Sequence, residues 1–536
     1  MGRRNPSRLP SGRAGWSLRL NPQDCHRASD RWRATAHGWA RFLERSPGIF
    51  LGEAGRLHST IGLFSFGWAF AMTARPTILK FGGTSLEDAE AIACAARIVQ
   101  AHRTALPVVV VSALSHFTDA LLKSVEMAAA GDPASAARSL ATQFERHLTI
   151  ARALLGEERN SVEAGIQEAR AELDVLLRLM SARPAIGARL QDEIVSYGER
   201  LSGALSTAAL CSIGIPARYV DARRCIKTDE EHGRATPLLR DTEVHTRAEL
   251  APMLDSSQVP VLGGFFGSSK AGATTTLGRS GSDYTSALVG SALDAREIHI
   301  WTDVTGVLTA DPRVVKTART IPRLSYAEAA ELAYFGAKVL HPKTIQPAVE
   351  RQIPIRICNS RAPQEGGTLV WVESETTGNR VKGIAYKRDI TVMQITSARM
   401  LGAYGFLKAI FEVFERHRTV VDIVTTSEVS VSVSIEDRRN LTAILRDLGS
   451  LGAVQVEEGR AIICVVGERL RYTPGIAAQV FNTIRDINVS LISQGASSVN
   501  LTFVIDEKYV EETLVRLHRI FFEEPAEESR AACVSH

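Results

Sequence analysis

The run Thr276-Leu277-Gly278-Arg279-Ser280-Gly281-Ser282-Asp283-Tyr284 gathers glycine, serine, one arginine and one aspartate just before an apolar helical stretch at Ala287-Leu288-Val289. A glycine-rich turn entering a helix aims several backbone N–H groups at one spot, and the helix dipole adds positive potential there. Such a spot suits phosphate or carboxylate. Arg279 adds a planar, permanently charged fork that matches a carboxylate. Asp283 puts a carboxylate at the same helix start. A serine- and glycine-rich loop with an N-capping aspartate has the same composition, so this segment alone leaves both readings open. A second turn shifts the balance. Thr77–Phe81 predicts a short buried strand, Gly82-Gly83 a tight turn, and the residues from Leu86 onward a helix. Strand, turn and helix start form a phosphate cradle with Lys80 at its lip. No Lys-Ser/Thr pair follows the glycines and no GxGxxG is present, so neither a Walker A loop nor a dinucleotide fold is supported.

Strands and helices must hold these turns. From Met72 to about Ser360 apolar strands alternate with long helices. The expected strands are Thr77–Phe81, Pro107–Ala113, Ala217–Val220, Val259–Leu262, Glu297–Trp301 and Ile353–Cys358. Continuous Val/Ile runs predict strands buried on both faces, hence a mostly parallel sheet with helices on each side. The stretch 120–210 reads as helical, with a break near Ser181-Ala182-Arg183-Pro184. After a Gly/Thr-rich connector (Gly366-Gly367-Thr368, Thr376-Thr377-Gly378-Asn379) shorter βα units begin, and one pattern occurs twice. Gly405-Phe406-Leu407-Lys408-Ala409-Ile410-Phe411 matches Gly475-Ile476-Ala477-Ala478-Gln479-Val480-Phe481. Each predicts a helix followed by two strands, Val420–Val424 and Val429–Ile435 in the first copy, Val489–Ser493 and Val499–Ile505 in the second. A period of about 70 residues suits a small βαββαβ domain rather than a solenoid.

The 536 residues are 45% hydrophobic and 23% charged, as expected for a soluble globular protein of several domains. The net charge of +4 conceals an uneven distribution. Residues 1–71 contain eleven arginines, no lysine and four acidic residues, a balance of +7 that leaves −3 over the rest. The body is mildly acidic, which gives no support to nucleic-acid binding. The seven cysteines are scattered without CxxC, which points to reduced thiols, a cytoplasmic location and no structural zinc. The apolar tract Ile61–Ala71 is far shorter than the ~20 residues a membrane span needs. An Arg-rich, acidic-poor leader could serve as an organelle transit peptide. The preferred expectation is that residues 1–71 are translated upstream sequence and that Met72 is the true start, which intact-mass analysis of native protein would check.

Five motifs occur in a fixed order: the two glycine turns, Trp301-Thr302-Asp303-Val304-Thr305-Gly306, Asp311-Pro312-Arg313, and Phe335-Gly336-Ala337-Lys338-Val339-Leu340-His341-Pro342. With them the chain resembles the aspartokinases over about residues 76–520. The resemblance implies a three-layer αβα amino-acid kinase domain with a mostly parallel central sheet over 72–375. Two ferredoxin-like βαββαβ ACT domains would follow over 385–455 and 456–525, in tandem or interleaved. The likeness is greatest to the lysine-inhibited, single-function type, much of it carried by Thr425-Thr426-Ser427-Glu428-Val429-Ser430-Val431. It implies phosphorylation of the L-aspartate side chain by MgATP to 4-phospho-L-aspartate, the entry to lysine, threonine, methionine and diaminopimelate synthesis. The chemistry suits these residue types. A carboxylate, which loses its proton near pH ~4, is already a nucleophile at neutral pH and needs no general base. Phosphoryl transfer then depends on alignment and charge neutralisation.

By resemblance, Lys80 neutralises the transferring group and Gly82, Gly83 and Phe81 lie along the phosphates. Asp283 orients Lys80 or a metal-bound water. Arg279 takes an aspartate carboxylate and Glu199 the substrate ammonium. Thr118, Ser280 and Ser282 offer polar contacts to the substrate, and Gly281 lets the backbone approach. Thr302, Asp303 and Leu308 meet the nucleotide, while Arg313, Lys338 and Val339 line its phosphates. Mg²⁺ is held mainly by ATP oxygens, and no protein ligand to it is assigned. Two positions depart from the family pattern. His116 stands in Ser115-His116-Phe117-Thr118, where small residues are usual, and reads as a bulky loop residue. Leu308 replaces an aromatic and so removes ring stacking on the base.

Met400, Phe406, Leu407, Val421, Asp422 and Thr426 match positions that line a lysine effector site, with Asp422 facing the effector's ammonium. Apolar members of that set serve equally well as core. Threonine stays open as a co-effector, and the assembly is expected to be a homodimer or higher homo-oligomer through the ACT domains. Two rival readings are a kinase of glutamate, acetylglutamate or a nucleotide, and a catalytically silent amino-acid sensor. The second would require damage at Lys80, Arg279 or Asp283, and all three are intact.

Overall fold

The computed structural model describes residues 75–156, 159–336, 340–372, 380–402 and 404–523. The leader 1–71, Lys338, Val339 and Thr376–Asn379 lie outside the described residues. Among its described residues the first half carries eleven strands: β1 (Thr77–Phe81), β2 (Pro107–Val111), β3 (Ala217–Val220), β4 (Lys227–Thr228), β5 (Val259–Gly263), β6 (Phe266–Ser269), β7 (Thr274–Thr276), β8 (Glu297–Thr302), β9 (Arg323–Ser325), β10 (Ile355–Asn359) and β11 (Thr368–Trp371). Eight of them form one sheet in the order β3-β5-β2-β1-β8-β10-β11-β9, parallel except between β10 and β11. β4, β6 and β7 form a small separate sheet.

Every residue of β1, β2 and β5 is buried, as their unbroken apolar runs require. Ile78, Val108, Val110, Ile298 and Ile300 from neighbouring strands share one core. Each such side chain contributes roughly 1.5–3 kcal/mol on burial. The chain leaves β1 toward β2 on one side, while β8 occupies the other, so the strand order reverses at β1. Ligands of open α/β sheets collect outside the carboxyl ends of strands at such a reversal. In register, Lys80 stands beside Val110 and Ile300, and Phe81 beside Val111 and Trp301.

The helices adjust the expected boundaries. No helix starts directly at the Gly82-Gly83 turn. A 3-10 turn over Gly83–Ser85 intervenes, and the helix runs from Ala89 to Ala101. Asp88 sets its start by accepting from the Ala91 N–H at 2.8 Å. The break expected near Pro184 occurs between the helices Arg159–Ala182 and Gly187–Ser212, with Pro184 opening a short 3-10 turn.

The second half is one antiparallel six-stranded sheet, order β13-β14-β12-β15-β17-β16. Its strands are β12 (Val381–Thr396), β13 (Val424–Thr426), β14 (Ser430–Ile435), β15 (Ala453–Gly467), β16 (Val489–Ser493) and β17 (Asn500–Asp506). β12 and β15 are double-length and pair along their whole course. Ile390–Thr396 lies on Ala453–Arg460, whereas Val381–Lys387 lies on Ile462–Gly467, with a register shift between Lys387 and Ile390. Two βαββαβ units therefore share the sheet, and the second takes its last strand from residues that precede the first. The sheet also joins the core of the first half: Ala385, Ile462, Cys464 and Val504 pack in the cluster that holds Ile78 and Ile300. Ala310 and Val315 join the core of the second unit.

Candidate active site

Lys80 is the penultimate residue of β1, and only 8% of its surface is exposed. Its Nζ sits 2.7 Å from Asp283 Oδ1 as a contact ion pair, with both side chains nine-tenths buried or close to it. Asp283 lies in the first turn of the helix Gly281–Ala292, directly after the Thr276–Ser280 segment. The two glycine turns, some 200 residues apart in the chain, thus meet through one ion pair. Ser280 enters this helix with φ 55°, a left-handed conformation that bends the chain back on itself.

The turn after β1 is fixed on two sides. The Gly82 N–H donates to the Trp301 carbonyl at 3.0 Å, and the Ser115 N–H donates to the Gly83 carbonyl at 3.3 Å. A side chain at Gly83 would begin 2.9 Å from the Ala113 carbonyl oxygen, so only glycine lets the loop after β2 come this close. The Gly82 N–H is therefore already satisfied by β8. At Gly281 the space a side chain would need is filled by the Phe265 ring at 2.7 Å, so that glycine makes room for protein.

Glu199 reaches the same place from the helix Gly187–Ser212. It is 3% exposed, and its Oε2 has no hydrogen-bond partner. Burial pushes its carboxyl up to about 8, against the opposing effect of a backbone N–H at Ala113 and the charge of Lys80. A buried carboxylate oxygen without a partner is costly, and a cationic ligand would relieve it. Thr118 Oγ1 comes within 3.8 Å of where a Gly198 side chain would begin, beside Glu199. Ser282 is buried against Gly264 in the loop after β5. The structure therefore gathers Lys80, Gly82, Gly83, Thr118, Glu199, Ser282 and Asp283 at the carboxyl ends of β1, β2, β5 and β8. Arg279 and Ser280 are exposed beside them. His116 is exposed, with φ 67°, just before the helix Phe117–Ala129, the place of a loop residue.

The residues expected at the nucleotide follow β8. Thr302 ends that strand, and its hydroxyl donates to Asp303 at 3.1 Å. Leu308 bridges to Thr320. The Arg313 guanidinium is held by Asp311, Nε to Oδ1 at 3.0 Å and Nη2 to Oδ2 at 2.6 Å, and Tyr386 donates to the same carboxylate at 3.1 Å. That pairing holds the Asp311 carboxyl below its ordinary range. Among the described residues no cluster of three or more His, Cys, Asp or Glu could hold a metal ion.

In the first βαββαβ unit Met400, Phe406 and Val421 are half-buried against its core, while Leu407 and Thr426 are exposed. Asp422 is already engaged. Tyr334 donates to its Oδ1 at 2.8 Å and Lys387 at 3.0 Å, while Oδ2 is buried without a partner. Lys387 also meets Glu436 at 2.8 Å and lies 4.8 Å over the Tyr334 ring. Tyr334 closes the helix Tyr326–Tyr334 of the catalytic half, so this knot ties the two halves together.

Sequence reasoning missed several polar groups. Asp192, fully buried on the Glu199 helix, accepts from Thr276, His232 and Gly233. Its signal is the seven-residue spacing to Glu199, two helical turns along one face. His518, buried in the second regulatory unit, bonds Thr309 at 2.9 Å beside Leu308. No motif marks it.

A mostly parallel three-layer domain with a lysine-bridged glycine-turn pair, joined to paired βαββαβ units, defines a small-molecule kinase with a regulatory half. Family comparison agrees. Residues 75–359 match the amino acid kinase family and residues 463–521 an ACT domain. The chain is 36% identical over 459 residues to lysine-sensitive aspartokinase 3 of Escherichia coli, covering 83% of this chain and 99% of that one. It is 36% identical over 471 residues to the chloroplastic aspartokinase 1 of Arabidopsis thaliana, covering 83% and 80%. The crystal structure of E. coli aspartokinase III with aspartate and ADP, in its R-state, superposes with a TM-score of 0.73 at 36% identity over 84% of this chain and all of that one. The T-state structure with lysine and aspartate gives 0.70 at 35% over the same share of this chain. The chain belongs to the aspartokinase family.

Proposed function

We propose that this chain transfers the γ-phosphoryl group of MgATP to the side-chain carboxylate of L-aspartate, giving 4-phospho-L-aspartate, the first step toward lysine, threonine, methionine and diaminopimelate. One observation carries the reading: the Lys80–Asp283 ion pair stands beside a buried Glu199 whose Oε2 has no partner, at the strand reversal. Two anions must approach for this reaction, and a fixed ammonium neutralises both without reorganisation. Asp283 aims Lys80. Glu199 receives the substrate ammonium, Arg279 a substrate carboxylate, and Thr118, Ser280, Gly281 and Ser282 line the space between. Gly83, Gly82 and Phe81 border the phosphates. Thr302, Asp303 and Leu308 face the nucleotide, with Arg313, Lys338 and Val339 on its phosphate side. Mg²⁺ arrives with ATP as part of the substrate.

Lysine acts as feedback inhibitor at the first regulatory unit, near Met400, Phe406, Leu407, Val421, Asp422 and Thr426. Exposed Leu401, Tyr404, Phe411 and Val420 beside them support a second copy of the chain on that face. The same reading takes 72–375 as catalytic and 385–455 and 456–525 as interleaved regulatory units. The pairing of Val381–Lys387 with the second of them supports this. A cytoplasmic location fits the free cysteines and the absence, among the described residues, of a helix long and apolar enough to cross a membrane. ATP-dependent acyl-hydroxamate formation from aspartate, with glutamate and acetylglutamate as comparison substrates and lysine as inhibitor, tests the reading. Equal or faster turnover of another substrate would refute it.

A further inference from the structure

We infer that Asp192 is a positioning residue that fixes the Arg279 loop relative to Glu199, and so sets the spacing at which the amino-acid substrate is held. The inference rests on the proposed function above. Asp192 is fully buried on the helix that carries Glu199. Seven residues separate them, about 10 Å along one helical face. Its Oδ1 accepts from the Thr276 hydroxyl at 2.6 Å and from the Gly233 N–H at 3.0 Å. Its Oδ2 meets His232 Nδ1 at 2.7 Å. Thr276 ends β7 and leads through Leu277 and Gly278 directly into Arg279.

The neighbouring contacts stiffen this foundation. The Ala235 N–H donates to the Thr276 carbonyl at 2.8 Å, and the Leu277 N–H to the Phe265 carbonyl at 2.9 Å. Gly278, at φ 78°, passes beside Gly233 and Arg234. The loop 229–236 and the end of β7 are thus gripped by a single carboxylate, which offers several acceptor directions where an apolar staple would offer none. One rigid helix then determines both ends of the substrate site, Glu199 by direct contact and Arg279 through Asp192 and Thr276. Burial raises the Asp192 carboxyl, and its three donors oppose that rise.

Steady-state kinetics of the full chain tests this. Thr276→Val removes one hydroxyl at nearly constant volume. It should raise the KM for aspartate on the order of tenfold while the KM for ATP and kcat change less than about threefold. Thr276→Ser, which keeps the hydroxyl, should restore the aspartate KM. Asp192→Asn should show the same split. An unchanged aspartate KM in Thr276→Val overturns the inference. So does a parallel loss in both KM values and kcat, or a Ser variant that behaves like Val. If Asp192→Asn does not fold, the Val and Ser pair decides. A wild-type chain without aspartate-dependent turnover would instead overturn the proposed function and the inference with it, a result read from the wild type alone.

Discussion

Glu199 gives the prediction that can be worked furthest. Its carboxyl is pushed up to about 8 by burial, and its Oε2 lacks a partner. Only the ionised form can pair with a substrate ammonium. Such a carboxyl is ionised in about one molecule in a hundred at pH 6, about one in ten at pH 7 and about half at pH 8. Apparent affinity scales with the competent fraction. The aspartate KM of the wild type should therefore fall about ninefold from pH 6 to 7 and about fivefold from pH 7 to 8. Glu199→Gln should show a high and nearly pH-independent KM. A second consequence concerns stability, and its sign follows from the raised value. The unfolded chain ionises this glutamate from about 4.5 upward while the folded chain holds it neutral, so folding loses stability as pH rises between the two values. Glu199→Gln escapes that loss. Without ligand it should be more stable than wild type at pH 8.5 by on the order of a few kcal/mol, seen as a higher unfolding temperature, with little difference at pH 5. Initial-rate kinetics in constant-ionic-strength buffers, with calorimetry at the two pH values, make the measurements. A flat wild-type profile, or the same slope in Glu199→Gln, would refute the reasoning.

Lys80→Met should lower kcat by roughly a hundred- to a thousandfold. It also strands Asp283, at a cost of about 3 kcal/mol, which adding Asp283→Asn should recover without recovering turnover; denaturant titration and rate assays separate the two effects. Asp422→Ala should raise the lysine concentration for half-inhibition at least about tenfold, scored against that variant's own uninhibited rate, and an unmoved value would remove Asp422 from the effector site. Leu308→Tyr should lower the ATP KM about two- to tenfold through ring stacking on the base; an unchanged KM would place Leu308 away from the nucleotide.

Three strands, β1, β3 and β16, are legible to the residue. β1 is an unbroken buried run that ends at Gly82-Gly83, while β3 and β16 mix buried and exposed residues and end at polar residues. The small sheet of β4, β6 and β7 is not legible, since Phe266-Gly267-Ser268-Ser269 and Thr274-Thr275-Thr276 lack an apolar period. β12 and β15 escape for another reason. Asp389, at φ 58°, and the register shift beside it interrupt the alternation of β12, and Gly459 at φ 66° interrupts β15. At the site, the lysine and the aspartate are legible because each stands two residues from a glycine of its turn, Lys80 before Gly82 and Asp283 after Gly281. The use of the Gly82 N–H by Trp301 is not, because it depends on which strand neighbours β1. Asp192 escapes notice because its one signal, the seven-residue spacing to Glu199, is shared by any pair of acidic residues two turns apart on a helix.

The strand Val381–Lys387 leaves the ribosome some 75 residues before Ile462–Gly467, the segment it must lie against. Until then its backbone donors and acceptors stand open at a sheet edge, a situation prone to wrong pairing. The same arrangement makes the two units unequal under truncation. A chain cut just after Arg460 keeps every strand of the first unit, Ile390–Thr396 on Ala453–Arg460 included, but leaves Val381–Lys387 without Ile462–Gly467, its partner in the second.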